Sequence, residues 1–227
     1  TGQCRTYPNL MACEAARGNE FNAWSVGNPP EHETILPFTR LMGGPMDYTP
    51  GVFEIKMDHY KTGSTNQVHT TLAKQLALYV TMYSPLQMAA DLVENYEKKM
   101  DAFQFIKDVA VDWDDTRYLE AEPGDYITIA RKAKGTGDWF IGAITDENAR
   151  IATVDFSYLE PKTWYVATVY GDAPTAHWKD NPMAYEIRKV LVQNTSVLKQ
   201  QLAAGGGVAI SVKKAAKTDL KGLKKLK

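Results

Sequence analysis

The sequence predicts two parts of different fold class, an α/β segment followed by an all-β domain, with the change near residue 113. Before that point, apolar residues recur with a helical period over 66–84 and again over 93–107. After residue 118, they alternate in short runs that turn residues separate. We therefore divide the chain into segments 1–112 and 113–214 and a Lys-rich tail, 215–227.

The first segment mixes short strands with helices. The apolar run at 5–13 predicts a short buried strand. In 66–84, five apolar residues lie on one helical stripe, and Asn66 is the predicted N-cap. Pro85 ends this helix, and the run LQMAAD that follows predicts another short buried strand.

Seven short strands are predicted in the second segment, at a spacing of roughly ten residues, which is typical of an antiparallel sandwich of about 100 residues. The separators are rich in Gly, Pro, Asp and Asn, as at 123–125 and 205–207. The predicted strands are 126–132, 139–145, 151–157, 163–172, 185–192, 196–202 and 207–213.

Composition and charge argue against several functional classes. Apolar residues make up 44% of the chain, which is enough for a buried core. The formal net charge of −1 gives no electrostatic reason to expect nucleic-acid binding. No apolar run reaches the roughly 18–20 residues that span a bilayer. The seven Lys and one Asp of residues 213–227 predict a solvated, frayed C-terminus.

Two acids, Glu14 and Glu20, follow the first predicted strand and enclose an Arg-Gly pair. Acids in loops usually cap helices or face solvent, and this interpretation stays open for each of them. In α/β folds, however, loops that follow buried strands carry the catalytic groups. Clustered carboxylates suit a hard cation such as calcium. They also suit general acid catalysis, because a like-charged or desolvated neighbour raises one pKa.

Six long motifs stand out along nearly the whole chain. They are RTYPNLMACEAARGNEFNAW, ILPFTRLMGGPMDYTPG, VHTTLAKQLALYVTMYSPLQMAADL, DAFQFIKDVAVDWDDTRYLEAEPGDYITIARK, WFIGAITDENAR and GGGVAIS. They closely resemble glycoside hydrolase family 97, whose members are α-glucosidases and α-galactosidases, largely from glycan-utilisation systems of Bacteroidetes.

The resemblance implies an architecture. The family has an N-terminal β-supersandwich, a central (β/α)8 barrel and a C-terminal antiparallel β-domain. Residues 1–112 would be the C-terminal part of the barrel, since so few residues cannot close an eight-stranded barrel of roughly 200 or more. Residues 113–214 would be the antiparallel β-sandwich domain. The expected fold class is therefore α/β plus all-β.

The resemblance also implies residue roles. The family pattern E-G-x-x-G-x-E falls on residues 14–20, which makes Glu14 a calcium ligand and Glu20 both the general acid and a second calcium ligand. Ala15 stands where the family often has Gly, and we expect it to alter the backbone turn. Trp24 and Asp91 are the candidate substrate contacts. Packing in the core is the alternative role for Trp24.

The expected function is that of a calcium-dependent, exo-acting α-glucosidase in the periplasm, with an α-linked oligosaccharide as substrate. A retaining α-galactosidase of the same family is one alternative. A non-catalytic carbohydrate-binding or structural fragment is another. In the family, the base or nucleophile comes from earlier barrel strands, so this chain alone is expected to be incomplete and inactive. Inverting or retaining stereochemistry and the oligomeric state stay open.

Overall fold

The computed structural model describes residues 2–59 and 61–226. In these ranges the α-helices are α1 (Gln3–Thr6), α2 (His32–Ile35), α3 (Leu72–Thr81), α4 (Val93–Glu97), α5 (Met100–Asp108) and α6 (Asp219–Gly222). The strands are β1 (Trp113–Glu122), β2 (Tyr126–Ala133), β3 (Trp139–Thr145), β4 (Arg150–Asp155), β5 (Tyr165–Asp172), β6 (Tyr185–Val192), β7 (Val197–Leu202) and β8 (Gly207–Lys214). Short 3-10 helices cover Asn19–Ala23, Leu36–Phe38 and Arg40–Gly43. None of the described helices is long and apolar enough to cross a membrane.

Helix α3 is the central helix of the first segment, and all ten of its residues are buried. It is shorter than the predicted span 66–84, because Thr71 caps it in place of Asn66. The Thr71 side chain accepts a hydrogen bond from the Lys74 amide at 3.2 Å. Upstream, Gln67 forms a β-bridge to an earlier segment. That pairing competes with helix formation, so the prediction was too long at its N-terminal end.

The second predicted helix, 93–107, is present as two helices, α4 and α5. Between them, Lys99 has φ −140° and ψ 46°, which interrupts the helical backbone. Tyr96 before the break and Phe103 after it both pack against Phe53, with ring centroids 4.9 and 6.4 Å from it. The interruption of the helix at Lys99 therefore lies between two aromatic residues that pack against the same ring, that of Phe53.

The two short strands predicted in the first segment are absent from the described residues. Residues 5–13 include the end of α1 followed by turns, and residues 86–91 are irregular. One parallel bridge joins Cys13 to Met46, and the Asp47 amide donates to the Cys13 carbonyl at 3.0 Å. Both strand predictions were wrong, because an apolar run becomes a strand only where a neighbour takes its backbone hydrogen bonds.

The all-β prediction for the second segment is confirmed. The seven predicted strands are present as β2 to β8, and every ladder in the described residues is antiparallel. Six strands form one sheet in the order β1-β2-β3-β8-β5-β6, and β4 pairs with β7 in a second sheet. Strand β1 was missed because it shows no regular alternation and none of its residues is fully buried.

The larger sheet is packed on both faces, and successive residues of β3 point to opposite sides. Ile141 and Ala143 belong to the core shared with β4 and β7. Phe140 and Ile144 belong to the core shared with α3. Gly142 lies close against the helix, since a Cβ there would lie only 2.6 Å from a carbonyl oxygen of α3. Helix α3 and the sheet therefore form one continuous core.

The Lys-rich tail packs against the larger sheet, so the expectation of a frayed C-terminus is wrong for its described part. Leu226 donates its amide to the Leu191 carbonyl, and Leu191 donates to the Lys224 carbonyl, each at 2.8 Å. The Ser196 hydroxyl also donates to the Leu226 carbonyl at 2.9 Å. Leu191 lies on β6, an edge strand whose unpaired backbone groups bind the tail.

Candidate active site

Glu14, Glu20 and Trp24 line one open cavity of about 860 Å³ in the first segment. Glu14 is exposed and Glu20 is half-buried. Trp24 is 66% exposed, and its ring meets Phe21 edge-on at 6.2 Å between centroids. The structure thus brings together three of the four predicted site residues and leaves the face of the cavity open to a ligand.

Glu20 lies in the 3-10 helix Asn19–Ala23, and two neighbours determine the position of its carboxylate. The Thr49 hydroxyl donates a hydrogen bond to Glu20 Oε2. A Cβ on Gly18 would collide with both the Glu20 carboxylate and the Thr49 hydroxyl. A side chain at position 18 would therefore displace the Glu20 carboxylate and the Thr49 hydroxyl from the positions they occupy here.

The Glu20 loop is tied to helix α3 through two buried amide side chains. Asn19 donates from Nδ2 to the Thr49 carbonyl at 2.9 Å and to Gln75 Oε1 at 3.2 Å. Gln75 Oε1 also accepts from the amides of Gly51 and Val52, at 2.9 and 3.1 Å. One side chain of the most buried helix therefore holds both the loop that carries Glu20 and the loop that carries Thr49.

The far end of the Glu20 loop is closed by a second set of amide contacts. Asn28 donates from its amide to Asn22 Oδ1 at 3.0 Å and from Nδ2 to the Gly18 carbonyl at 2.9 Å. His69 hydrogen-bonds to the Asn28 backbone, and burial is the main cause that lowers the pKa of His69. The His69 ring lies 4.8 Å from that of Trp178 in the β-domain. Contacts from the β-domain therefore reach the loop.

The backbone around Glu14 is held by hydrogen bonds from Arg40. Arg40 donates to the Glu14 carbonyl at 2.7 Å, to the Gly44 carbonyl at 3.3 Å and to the Cys13 carbonyl. The next residue, Ala15, has φ 80°, in the left-handed region that favours glycine. Ala15 therefore adopts a glycine-like backbone conformation at an energetic cost. For this reason alanine does not require a different turn at this position, contrary to the expectation.

Asp91 does not line the Glu14 cavity. It lines a neighbouring cavity of about 410 Å³, and Glu20 forms part of the wall of both. Asp91 Oδ2 accepts from the amides of Phe53 and Glu54 at 2.7 and 2.8 Å. Oδ1 accepts from the Leu92 amide at 2.7 Å and from an amide side chain. Both carboxylate oxygens therefore stabilise local backbone.

A buried ion pair that the sequence analysis missed lies in the first segment, where it meets the β-domain. Lys74 Nζ lies 3.1 Å from Glu33 Oε2, and the two side chains are 0% and 2% exposed. Lys74 also donates to the carbonyls of Pro30 and Thr145, at 2.7 and 3.0 Å. Tyr48 donates to Glu33 Oε1 at 3.1 Å. Burial, with the nearby Glu33 charge, raises the pKa of Tyr48 well above its ordinary value, so Tyr48 stays a donor.

Two carboxylates, Glu14 and Glu20, and one imidazole, His32, line the cavity, and His32 Nε2 is hydrogen-bonded to the Arg17 carbonyl at 2.8 Å. Within residues 2–59 and 61–226, no group of three or more His, Cys, Asp or Glu side chains is placed to hold a metal ion. Calcium takes six to eight oxygen ligands, which carboxylates supply well. Glu14 and Glu20 are thus the right donor type in a shared cavity, and they fit as part of a calcium site.

Comparisons with known proteins agree on one family. Residues 112–213 match the profile of the glycosyl hydrolase 97 C-terminal domain, described as an oligomerisation domain. A retaining α-galactosidase of Bacteroides thetaiotaomicron is 35% identical over 217 residues, covering 93% of this chain and 32% of that protein. A probable retaining α-galactosidase of Streptomyces bingchenggensis is 31% identical over 205 residues, covering 90% and 28%.

A solved structure is similar over almost the whole chain. It is a family 97 enzyme from Pseudoalteromonas sp. strain K8 in complex with panose, 46% identical, with a TM-score of 0.89 over 95% of this chain and 33% of that one. The same enzyme in complex with acarbose gives 47% identity and the same TM-score. The chain spans about a third of the length of the relatives that it matches.

Proposed function

Because the chain belongs to glycoside hydrolase family 97, we propose that the protein containing it is an exo-acting hydrolase of α-linked glucosides. One observation carries the proposal: Glu14, Glu20 and Trp24 line a single open cavity. Two acids and an exposed aromatic ring are the groups that protonate a glycosidic oxygen, bind a cation and stack on a sugar.

Glu20 is the proposed general acid. The oxygen of a glycoside is a poor leaving group and needs a proton as the bond breaks. Glu20 is half-buried at the cavity wall, and contacts from Thr49 and Gly18 restrain its carboxyl group. General acid catalysis requires that the acid reach the accepting oxygen of the substrate, and a restrained acid in the wall of an open cavity supports this role.

Calcium is the proposed cofactor, with Glu14 and Glu20 among its ligands. When bound, it would supply positive charge that helps to bind and polarise sugar hydroxyl groups. Its remaining oxygens would come from parts of the protein outside this chain. Arg40 holds the backbone on both sides of Glu14, and both residues line the cavity.

Residues 1–112 are proposed to be the C-terminal part of a (β/α)8 barrel. The parallel bridge between Cys13 and Met46 supports this, because neighbouring strands of such a barrel are parallel. In that arrangement the base or nucleophile comes from earlier strands, and this chain alone is inactive. Trp24 remains a proposed stacking residue. Asp91 remains a proposed contact in the neighbouring cavity, and the periplasmic location stays a prediction.

The choice of sugar rests on the relatives. The solved enzyme at 46% identity binds panose, which is built from α-linked glucose units, and this favours a glucoside. The names of the two curated relatives favour an α-galactoside with retention of configuration, which is the alternative. Paired assays with nitrophenyl α-glucoside and α-galactoside, with calcium or a chelator, distinguish the two sugars and test the cofactor.

The role of Glu20 is tested with Glu20→Gln in the full-length gene product. We expect a loss of about 10²–10⁴-fold on natural α-glycosides and little loss on substrates with activated leaving groups, which need no proton. Glu147→Gln, at an exposed turn of the β-domain, is the matched control. Equal loss on both substrate types would refute the assignment. Inactivity of the wild type with retained sugar binding would favour the non-catalytic binding module.

A further inference from the structure

Thr49 is the residue that contacts the Glu20 carboxyl group directly, and we propose that it positions this group for proton transfer. The inference rests on the proposed function of Glu20 as general acid. Thr49 and Glu20 are 29 residues apart in sequence, and their contact is the only hydrogen bond of the Glu20 side chain within the described residues.

The direction of this hydrogen bond follows from the other contact of the Thr49 hydroxyl. The Asn19 amide donates to Thr49 Oγ1 at 2.7 Å. A backbone amide can only donate, so it uses an acceptor site of the hydroxyl and leaves the single hydroxyl proton for another partner. That partner is Glu20 Oε2. With the Asn19 amide on one lone pair of Oγ1 and the hydroxyl proton directed at Glu20, Oε2 accepts from Thr49.

This arrangement determines which oxygen carries the transferable proton. When Glu20 is in its acid form, a proton on Oε2 would face the proton that Thr49 donates. As long as Thr49 donates to Oε2, the acid proton is carried by Oε1, which makes no hydrogen bond with any described residue. Thr49 thus leaves one oxygen of the carboxyl group free to donate, and a rotation that exchanges the two oxygens must first break the hydrogen bond to Thr49.

Thr49 is rigid enough for this role. Its carbonyl accepts from Asn19 Nδ2, so Asn19 holds Thr49 at both its backbone and its side chain. The two amides that follow Pro50 are bound by Gln75 Oε1 of helix α3. Gly18 leaves no side chain between Thr49 and Glu20. A positioning group must itself be restrained by packing and hydrogen bonds, and these contacts provide that restraint.

The test compares Thr49→Val, Thr49→Ser and Glu20→Gln in the full-length gene product. Valine keeps the shape of threonine without the hydroxyl, and serine keeps the hydroxyl. Thr136→Val is the matched control, because the Thr136 hydroxyl also accepts from a backbone amide and donates to an oxygen, in the turn between β2 and β3. For each variant, kcat and KM are measured over a series of α-glycosides whose leaving groups range from alkyl to dinitrophenyl.

We expect Thr49→Val to lower kcat about 10- to 100-fold on alkyl glycosides and only a few-fold on dinitrophenyl glycosides, with KM little changed. This is part of the roughly 10²–10⁴-fold that a general acid contributes. Thr49→Ser should recover most of the loss, and Thr136→Val should resemble the wild type. If Thr49→Val does not fold, Thr49→Ala is judged by the same criteria.

Two outcomes would overturn the proposal. One is a Thr49→Val variant whose kcat falls equally for all leaving groups, or does not fall at all. The other is a serine variant as impaired as the valine variant, since that would indicate packing and not the hydroxyl. Glu20→Gln separates this failure from that of the proposed function. If Glu20→Gln itself shows no dependence on the leaving group, Glu20 is not the acid, and the role of Thr49 fails with it.

Discussion

Replacing Lys74 by Met removes one half of an ion pair that is closed to solvent. Lys74 and Glu33 are 0% and 2% exposed, and their charged atoms lie 3.1 Å apart. Methionine has a similar length and an apolar character, so the change leaves the Glu33 carboxylate buried without its cation. It also leaves the carbonyls of Pro30 and Thr145 without their donor.

The magnitude follows from the cost of an unpaired buried charge. Breaking a buried pair from one side costs about 3–5 kcal/mol. For a chain of this size, each kcal/mol corresponds to about 2–4 °C in Tm, so we expect Tm to fall by about 6–20 °C. The matched control is Lys98→Met, whose partner Glu54 lies 3.8 Å away at the surface. An exposed pair of this kind is worth about 0–1 kcal/mol.

The assay is urea and thermal unfolding of the wild type, the two single variants and the double variant Lys74→Met/Glu33→Gln. Glutamine keeps an oxygen that accepts from Tyr48 and removes the buried charge. We therefore expect the double variant to be more stable than Lys74→Met alone. A Lys74→Met variant no less stable than Lys98→Met, or a double variant no better than the single one, would refute the reasoning.

Two further predictions concern backbone strain and pH. Ala15→Gly relieves the left-handed conformation of Ala15 and should raise the free energy of unfolding by about 0.5–1 kcal/mol, as measured by urea denaturation; an unchanged or lower value would contradict it. Burial raises the pKa of Asp172 to about 6, above that of an unfolded Asp at about 3.9. The folded chain therefore binds this proton more tightly, and the resulting stability is lost as pH rises from about 4 to about 6. Relative to the Asp172→Asn variant, the wild type should lose on the order of 2–3 kcal/mol of its free energy of unfolding across this pH window. Parallel profiles of unfolding free energy against pH for the two proteins would contradict this prediction.

The β-domain was the most predictable part of the fold, because its signal is local. Each strand from β2 to β8 carries its own apolar run and ends at turn residues, so seven strands could be located without knowing their partners. Strand β1 lacks that pattern, since it lies at the sheet edge and none of its residues is fully buried. Strand β1 is recognised only by its pairing with β2, and this pairing depends on two segments of the chain together.

The first segment was less predictable, because its backbone conformation depends on neighbours. The apolar run at 5–13 has the composition of a strand, yet only Cys13 within it pairs, in a single bridge. Helix α3 was predicted as a helix, but the predicted span was too long and began upstream, where Gln67 pairs instead. Two adjacent polar residues within its apolar pattern, Lys74 and Gln75, were the available signal that this helix holds partners as well as packing against the core.

By itself, the sequence determined the antiparallel β-domain, the family resemblance and the motif that contains Glu14 and Glu20. Only the tertiary structure decided what holds Glu20 in place. Thr49 lies 30 residues from Asn19, and Gln75 lies 56 residues from it. Alternation, turn residues and motif spacing are short-range patterns, whereas these hydrogen bonds form only when distant loops meet on helix α3. For that reason Glu20 could be singled out from the sequence as the candidate acid, whereas the residues that hydrogen-bond to it and to its loop could not.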